Sequence, residues 1–204
     1  MARRQNRTTK PTAAQAVVGL RIIGGCFRGR RLQYSGQLRT RPMKDRLREA
    51  VFNLLGPSVR GKHAIDLFAG TGALGLEALS RGAARATLIE QHHPTAAIIR
   101  QNVAELGVQG QTEVAIGNVF IWMRRKPELG DSPWLVFCSP PYDFFVERTD
   151  EMLELISGLM AAAPAGSVFV VEADDRFDFA QLPEASGWDV RSYPPAVVGI
   201  LHKE

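Results

Sequence analysis

The stretch Asp66-Leu67-Phe68-Ala69-Gly70-Thr71-Gly72-Ala73-Leu74-Gly75 places a carboxylate at the end of an apolar run, with three glycines just after it. Gly70 and Gly72 let a backbone turn tightly and approach a ligand without Cβ collisions. The spacing Gly70-x-Gly72-x-x-Gly75 also satisfies the dinucleotide fingerprint, so by itself it does not choose among nucleotides. No Gly-Lys-Ser/Thr follows, which excludes a P-loop. Asp66 suits a pyrophosphate poorly, because the charges repel. It suits a cation, such as the ammonium and sulfonium of S-adenosylmethionine. Glu90 ends the next apolar run, 24 residues on, where a carboxylate can accept both hydroxyls of a ribose. Asn118 and Val119 follow a third run. The amide can accept from an adenine amine while Val119 packs on the ring, and an asparagine N-cap is an equal account of Asn118.

A fourth run ends in Ser139-Pro140-Pro141-Tyr142. Two consecutive prolines carry no N–H, and each pushes its predecessor into an extended conformation. The segment therefore offers carbonyl acceptors in fixed geometry and hardly any donors, which suits an exocyclic amine. Tyr142 adds a face on which a base can stack.

These residues need strands that end at one edge, and the pattern supplies them. Residues 64–69, 86–90, 112–116, 134–138 and 167–172 read as strands, the fourth as an uninterrupted apolar run suited to a buried parallel position. Helices are predicted between them: from the glycines to Arg81, from Pro94 to about Leu106, over 119–126 and over 147–163. Two last strands, 188–193 and 196–202, flank Pro194-Pro195 too closely for a crossover and so are antiparallel. The fold class is α/β, a Rossmann-like, doubly wound, mostly parallel sheet of seven strands. Upstream, residues 21–27 and 30–34 read as a β-hairpin with a turn at Arg28-Gly29. A helix over about 44–55 carries Leu47, Ala50, Val51, Leu54 and Leu55 on one stripe, with Arg46, Arg48 and Glu49 away from it.

Taken together, Asp-x-Phe-x-Gly-x-Gly, a strand-end Glu and a Pro-Pro-Tyr loop resemble the class I S-adenosylmethionine-dependent methyltransferases that act on an amino nitrogen. With Arg21-Ile22-Ile23-Gly24-Gly25, Arg28-Gly29-Arg30-Arg31-Leu32, Leu38-Arg39-Thr40-Arg41-Pro42 and Asp45-Arg46-Leu47-Arg48-Glu49-Ala50 ahead of them, residues 21–202 resemble the ribosomal small subunit methyltransferase D family. The resemblance implies methyl transfer to the N2 amine of a guanine in 16S rRNA, guanine 966 in ribosomal numbering, on the small subunit or its precursor. It implies S-adenosylmethionine held by Asp66, Phe68, Gly70, Gly72, Glu90, Asn118 and Val119. Ser139, Pro140 and Tyr142 would form the catalytic loop, with no metal. Arg28, Arg30, Arg31, Arg39, Arg41 and Arg46 would engage RNA phosphates. Three positions depart from the family pattern: Ser139 where Asp or Asn is usual, Met43-Lys44 where a Thr often follows the Arg-Pro pair, and Asn118 where Asp is frequent.

Length and composition agree with this organisation. At 204 residues the chain has room for one domain with a small appendage. Two cysteines, Cys26 and Cys138, without CxxC or a histidine pair, argue against a disulfide scaffold and a zinc site. No run approaches the ~18 apolar residues of a membrane span. The net charge of +4 conceals an asymmetry. Residues 1–62 hold 15 Lys/Arg against two acids, a net of +13, and residues 63–204 hold 10 against 19, a net of −9. A cationic segment of that size points to a polyanion partner, RNA or DNA first. The expected organisation is a flexible basic tail over 1–20, a basic extension over 21–62 and a methyltransferase domain over 63–204, in a cytoplasmic and monomeric protein. The first segment also has the composition of a transit peptide. The residues leave rival functions: amine methylation of adenine, cytosine or protein glutamine, NAD-dependent oxidoreduction, and RNA binding without catalysis during ribosome assembly.

Overall fold

The computed structural model describes residues 19–34, 43 and 45–204. Residues 1–18, Arg39 and Arg41 lie outside them. A single seven-stranded sheet organises the chain, with strands β1 His63–Asp66, β2 Arg85–Glu90, β3 Thr112–Ile116, β4 Trp134–Cys138, β5 Val168–Asp174, β6 Asp189–Tyr193 and β7 Ala196–His202. The helices are α1 Asp45–Leu55, α2 Ala73–Ser80, α3 His93–Leu106, α4 Val119–Arg124, α5 Phe144–Glu147 and α6 Thr149–Ala162. Strand order is β3-β2-β1-β4-β5-β7-β6, and β7 runs antiparallel to both its neighbours while the other pairings are parallel. Successive residues of β1 enter different cores: Ala64 packs with Leu76 and Val51 on one face, Ile65 with Met152 and Ile156 on the other. Among the described residues no helix is long and apolar enough to cross a membrane.

The order reverses between β1 and β4. From β1 the chain winds outward through β2 and β3, then returns to β4 on β1's other side. The loops that leave β1 and β4 therefore diverge and open a crevice at the carboxyl ends of the strands, where open α/β sheets bind ligands.

Three elements differ from expectation. The hairpin over 21–34 is reduced to one antiparallel bridge, Arg21 to Arg31, around a run of turns. Ile22, Gly29 and Leu32 N–H still bond across it, but four other backbone donors are committed to α2. Ile23 and Gly24 N–H donate to the Glu77 carboxylate at 2.7 Å each, Cys26 N–H to Ser80 O at 2.8 Å, and Phe27 N–H to Ser80 Oγ at 2.9 Å. Gly25 holds φ +76° against this wall, and a Cβ there would lie 1.8 Å from Ser80 O. Next, Arg48 is not on an open face of α1 but is 0% exposed. It donates to Arg21 O and pairs with Asp45 at 2.9 Å, and its Nε lies 3.8 Å from Glu77. Burial is the chief cause lowering its pKa, opposed first by Asp45 and then by Glu77. The helix expected over 147–163 is present as α6, Thr149–Ala162, but an unexpected short helix, α5, precedes it and is set off by Arg148, whose backbone leaves the helical region (φ −135°, ψ 35°). Its guanidinium lies over Phe120 at 4.3 Å and Phe144 at 4.9 Å while it chelates Glu151.

Glu77, itself 0% exposed, is thus the shared partner of Ile23, Gly24, Arg48 and Arg81. Its removal orphans two amides and leaves a buried guanidinium short of charge, and breaking such a pair costs about 3–5 kcal/mol. Glu77→Ala is expected to lower unfolding free energy by about that amount in urea titrations. A loss below ~1 kcal/mol would show that solvent replaces the carboxylate.

Candidate active site

The crevice is a cleft of about 1240 Å³. Its walls come from the ends of five strands, from α1, and from the turn between β6 and β7.

The first wall follows β1. The chain leaves the strand at Asp66 and closes through Gly72 N–H to Ala69 O at 2.6 Å. Gly70 (φ +52°) and Gly72 (φ +75°) take left-handed conformations, which glycine adopts without steric cost. Gly75 serves a different purpose. A Cβ there would meet Leu88 Cδ2 at 2.1 Å, so its absence lets α2 lie close on β2. Phe68 and Gly70 line the cleft, while Gly72 faces Ile99 and is not part of the lining.

Asp66 is also not on the cleft wall. It lies behind the loop, 1% exposed, with Oδ2 accepting from Gly75 N–H at 3.4 Å and Oδ1 without a partner. Burial pushes its carboxyl up to about 7, with the Glu90 charge adding and the backbone bonds opposing. The Asp66 carboxyl, expected to face a cationic ligand, thus lies behind the loop and off the cleft lining, bonded to the Gly75 amide of α2.

Glu90 is on the wall. Its two oxygens are held apart by Gly70 N–H (2.9 Å to Oε2) and His92 N–H (2.7 Å to Oε1). Each oxygen keeps a lone pair for a ligand hydroxyl. Asn118 and Val119 line the cleft after β3. Asn118 Oδ1 caps α4, accepting from Phe120 N–H at 2.9 Å and Ile121 N–H at 3.3 Å. Its oxygen is committed to the helix, so what it can still offer an adenine is its amide donor. Phe68, Phe120 and Phe144 form an aromatic cluster beside this position, with ring centroids 5.8–6.5 Å apart.

The opposite wall is Ser139-Pro140-Pro141-Tyr142. The Pro141 carbonyl accepts from Phe144 N–H at 2.9 Å, so the acceptors this stretch can turn to a ligand are those of Ser139 and Pro140. Both side-chain hydroxyls point to a residue to which sequence reasoning assigned no role. Glu172, on β5 and 5% exposed, accepts from Ser139 Oγ at one oxygen and from Tyr142 Oη at the other, the latter at 2.8 Å. The available signal was an acid directly after the apolar run Val168–Val171, at the same sheet edge as Glu90. Over the cleft stand Met43, Arg46, Leu47 and Ala50 on one side and Tyr193, Pro194, Pro195 and Ala196 on the other.

The basic residues divide. Arg46 lines the cleft. Arg28, Arg30 and Arg31 are exposed on the turn that docks against the carboxyl ends of α2 and α3, where Arg30 donates to Glu105 O at 2.7 Å. His92, just ahead of α3, lines the cleft. The 14 residues of α3 put about 20 Å between the two ends.

A glycine loop after β1, a chelated carboxylate after β2 and a proline-paired acceptor loop after β4, on this strand order, define the class: a Rossmann-like fold of the methyltransferase type. Comparison with known proteins narrows it. The family model described as conserved hypothetical protein 95 matches residues 20–193, and the chain belongs to that family. Ribosomal RNA small subunit methyltransferase D of Escherichia coli (strain K12) is 41% identical over 136 residues, 66% of this chain and 67% of that protein. The solved yhhF structure from Escherichia coli, described as a putative methyltransferase, is 31% identical with a TM-score of 0.75, covering 91% of this chain and 98% of its own. A hypothetical protein from Thermus thermophilus is 27% identical with a TM-score of 0.71, over 90% and 99% of the two chains.

The Asp66 environment yields a test. The folded chain keeps this proton up to about pH 7, whereas its ordinary value is 3.8, so between those values folding takes up a proton and stability falls as pH rises. Above pH 7 the full cost of the buried charge is present. Between pH 4 and pH 8 the parent chain should lose stability, on the order of a few kcal/mol, that Asp66→Asn does not lose. Matching urea-derived pH profiles for the two chains would show that the carboxyl is solvated.

Proposed function

We propose that the protein transfers the methyl group of S-adenosylmethionine to the N2 amine of a guanine in 16S rRNA, on the small ribosomal subunit or its precursor. The observation that carries this reading is the Ser139–Tyr142 loop. It turns acceptors and an aromatic ring, with almost no donors, toward the same cleft as Glu90. An amine is a donor, so such a wall selects it over a carbonyl or phosphate.

The cleft has the features an adenosyl group requires. Gly70 permits close backbone approach, Glu90 presents oxygens to a ribose, and Val119 and Phe120 supply an apolar seat for a base beside the Asn118 amide. When bound, S-adenosylmethionine supplies a methyl group activated by a sulfonium. The chain's own task is then largely positioning, which can contribute several kcal/mol to a two-partner reaction. The target base must leave its stack to reach the floor of the cleft, and Tyr142, its hydroxyl tied to Glu172, offers the face that receives it. Acceptors aimed at the amine gain strength as the nitrogen becomes positive, so they act more on the transition state than on the ground state. The protein would act as a monomer in the cytoplasm, where its substrate is.

Small-subunit particles purified from a strain lacking this gene, incubated with the protein and S-adenosylmethionine, should gain N2-methylguanosine detectable by nucleoside mass spectrometry. Methylation of adenine or cytosine instead, or of none of the nucleosides alongside tight particle binding, would replace this reading with one of its rivals.

The charge distribution generates a second expectation. Particle binding should weaken steeply with salt as phosphate contacts release counterions. Arg46→Ala should slow transfer at saturating particle, because Arg46 stands at the cleft. Joint replacement of Arg28, Arg30 and Arg31 by Ala should lower affinity and flatten the salt dependence while leaving the saturated rate intact. An unchanged salt slope in the triple variant would mean that RNA does not reach that end of α3.

A further inference from the structure

Glu172 is a buried carboxylate for which the adenosyl-binding half of the cleft has no use. It sits on β5 beside the end of β4, with Cys138 paired to Val171 and Glu172 itself opposite Val198 of β7. Among the described residues no arginine, lysine or histidine forms an ion pair with it. The nearby Arg176 is taken by Asp174 and Asp143. Its hydrogen-bond partners are the Ser139 and Tyr142 hydroxyls. An uncompensated carboxylate is costly to bury, and both groups that solvate it lie on the loop that faces the amine.

We propose that Glu172 is a positioning residue that charges this acceptor wall and, through Ser139, receives the proton released by the substrate amine. The inference rests on the reading of the site as an amine methyltransferase. Because each hydroxyl donates its proton to Glu172, each turns lone pairs, not a proton, toward the amine. As the nitrogen–methyl bond forms, the carbon–sulfur bond breaks, sulfur becomes a neutral thioether and nitrogen becomes positive. The nitrogen then gives its proton to Ser139 Oγ while the Ser139 proton passes to Glu172. The products are a neutral methylated amine, an intact serine and a protonated Glu172, so charge and atoms balance. Ser139 has no charge of its own, and Glu172 supplies it from the neighbouring strand.

The test is single-turnover methyl transfer on small-subunit particles, with S-adenosylmethionine affinity by calorimetry and melting temperature measured on the same preparations. Glu172→Gln keeps size and one acceptor oxygen, replaces the other by an amide donor and removes the charge. It should slow transfer roughly 100-fold, a magnitude typical of lost proton transfer. Cofactor and particle affinities should stay within about threefold and the melting temperature unchanged. Ser139→Asp in the Glu172→Gln background moves the charge one hydrogen bond forward and should recover at least tenfold of the loss. A Glu172→Gln chain as fast as the parent overturns the proposal. So does a rate lost together with melting temperature that Ser139→Asp does not restore, which would make Glu172 structural. If the parent chain itself methylates no amine, the reading of the site fails. If the parent does so and Glu172→Gln keeps pace, only the role of Glu172 fails.

Discussion

The Glu77 carboxylate joins the two parts of the molecule. It sits in α2, on the helix that opens from the glycine loop, and accepts from the backbone of Ile23 and Gly24 while facing Arg48 of α1. Because the contact is buried, it holds the amino-terminal turn and α1 against the sheet in one arrangement. The consequence reaches the cleft. α1 carries Arg46, Leu47 and Ala50 into its lining, so the wall that covers the substrate end stands on an ion pair at the other side of the helix. An apolar pair could fill the same volume, and often with equal stability. It could not also cap two backbone amides that have left the ladder of a hairpin.

Four acids, three on strands and one in α2, illustrate how environment assigns work to one chemical type. Glu77 is buried and neutralised by arginines. Asp66 is buried without a cation, so its proton stays until about pH 7. Glu90 is partly exposed and splayed by two backbone amides, which leaves it a presenter of oxygens. Glu172 is buried and bonded through hydroxyls, which leaves its charge to act on whatever meets those hydroxyls. Burial also pushes the Cys138 thiol far above its usual range, with the Asp66 and Glu172 charges adding, so this buried cysteine is a packing residue between two carboxylates.

Much of this was legible in residue order, because parallel strands buried on both faces read as apolar runs and the ligand loops must follow them. β3, β4 and β7 begin and end where the pattern placed them. Gly70, Glu90, Val119, Ser139 and Tyr142 come to one cleft. What could not be read is long-range. Arg48 stands in helical phase with the buried Val51, Phe52 and Leu55, whereas Arg46 does not. What local order does not show is the buried counter-charge, Glu77, 29 residues on. The hairpin is shortened for the same reason, since the amides of Ile23 and Gly24 meet an acid in a helix far along the chain. Glu172 escaped notice because an acid after an apolar run is common, and its meaning comes from the two hydroxyls that the fold brings to it.

The placement of the arginines bears on the kind of RNA this surface suits. Arg46 lines the cleft, as does His92 ahead of α3, and Arg28, Arg30 and Arg31 lie on the turn docked at the other end of α3, about 20 Å along that helix from His92. Residues 63–204 carry a net charge of −9, so the amino-terminal arginines are the side chains suited to phosphates. A short strand held at the His92 end of the cleft would fall short of the turn. A preformed RNA surface can touch both at once, because its phosphates are already held apart at such distances. On the proposed reading, the separation of the His92 end of the cleft from the basic turn favours a folded subunit or its precursor over a free oligonucleotide. The cleft would then select the atom, and the turn beyond α3 would favour the particle.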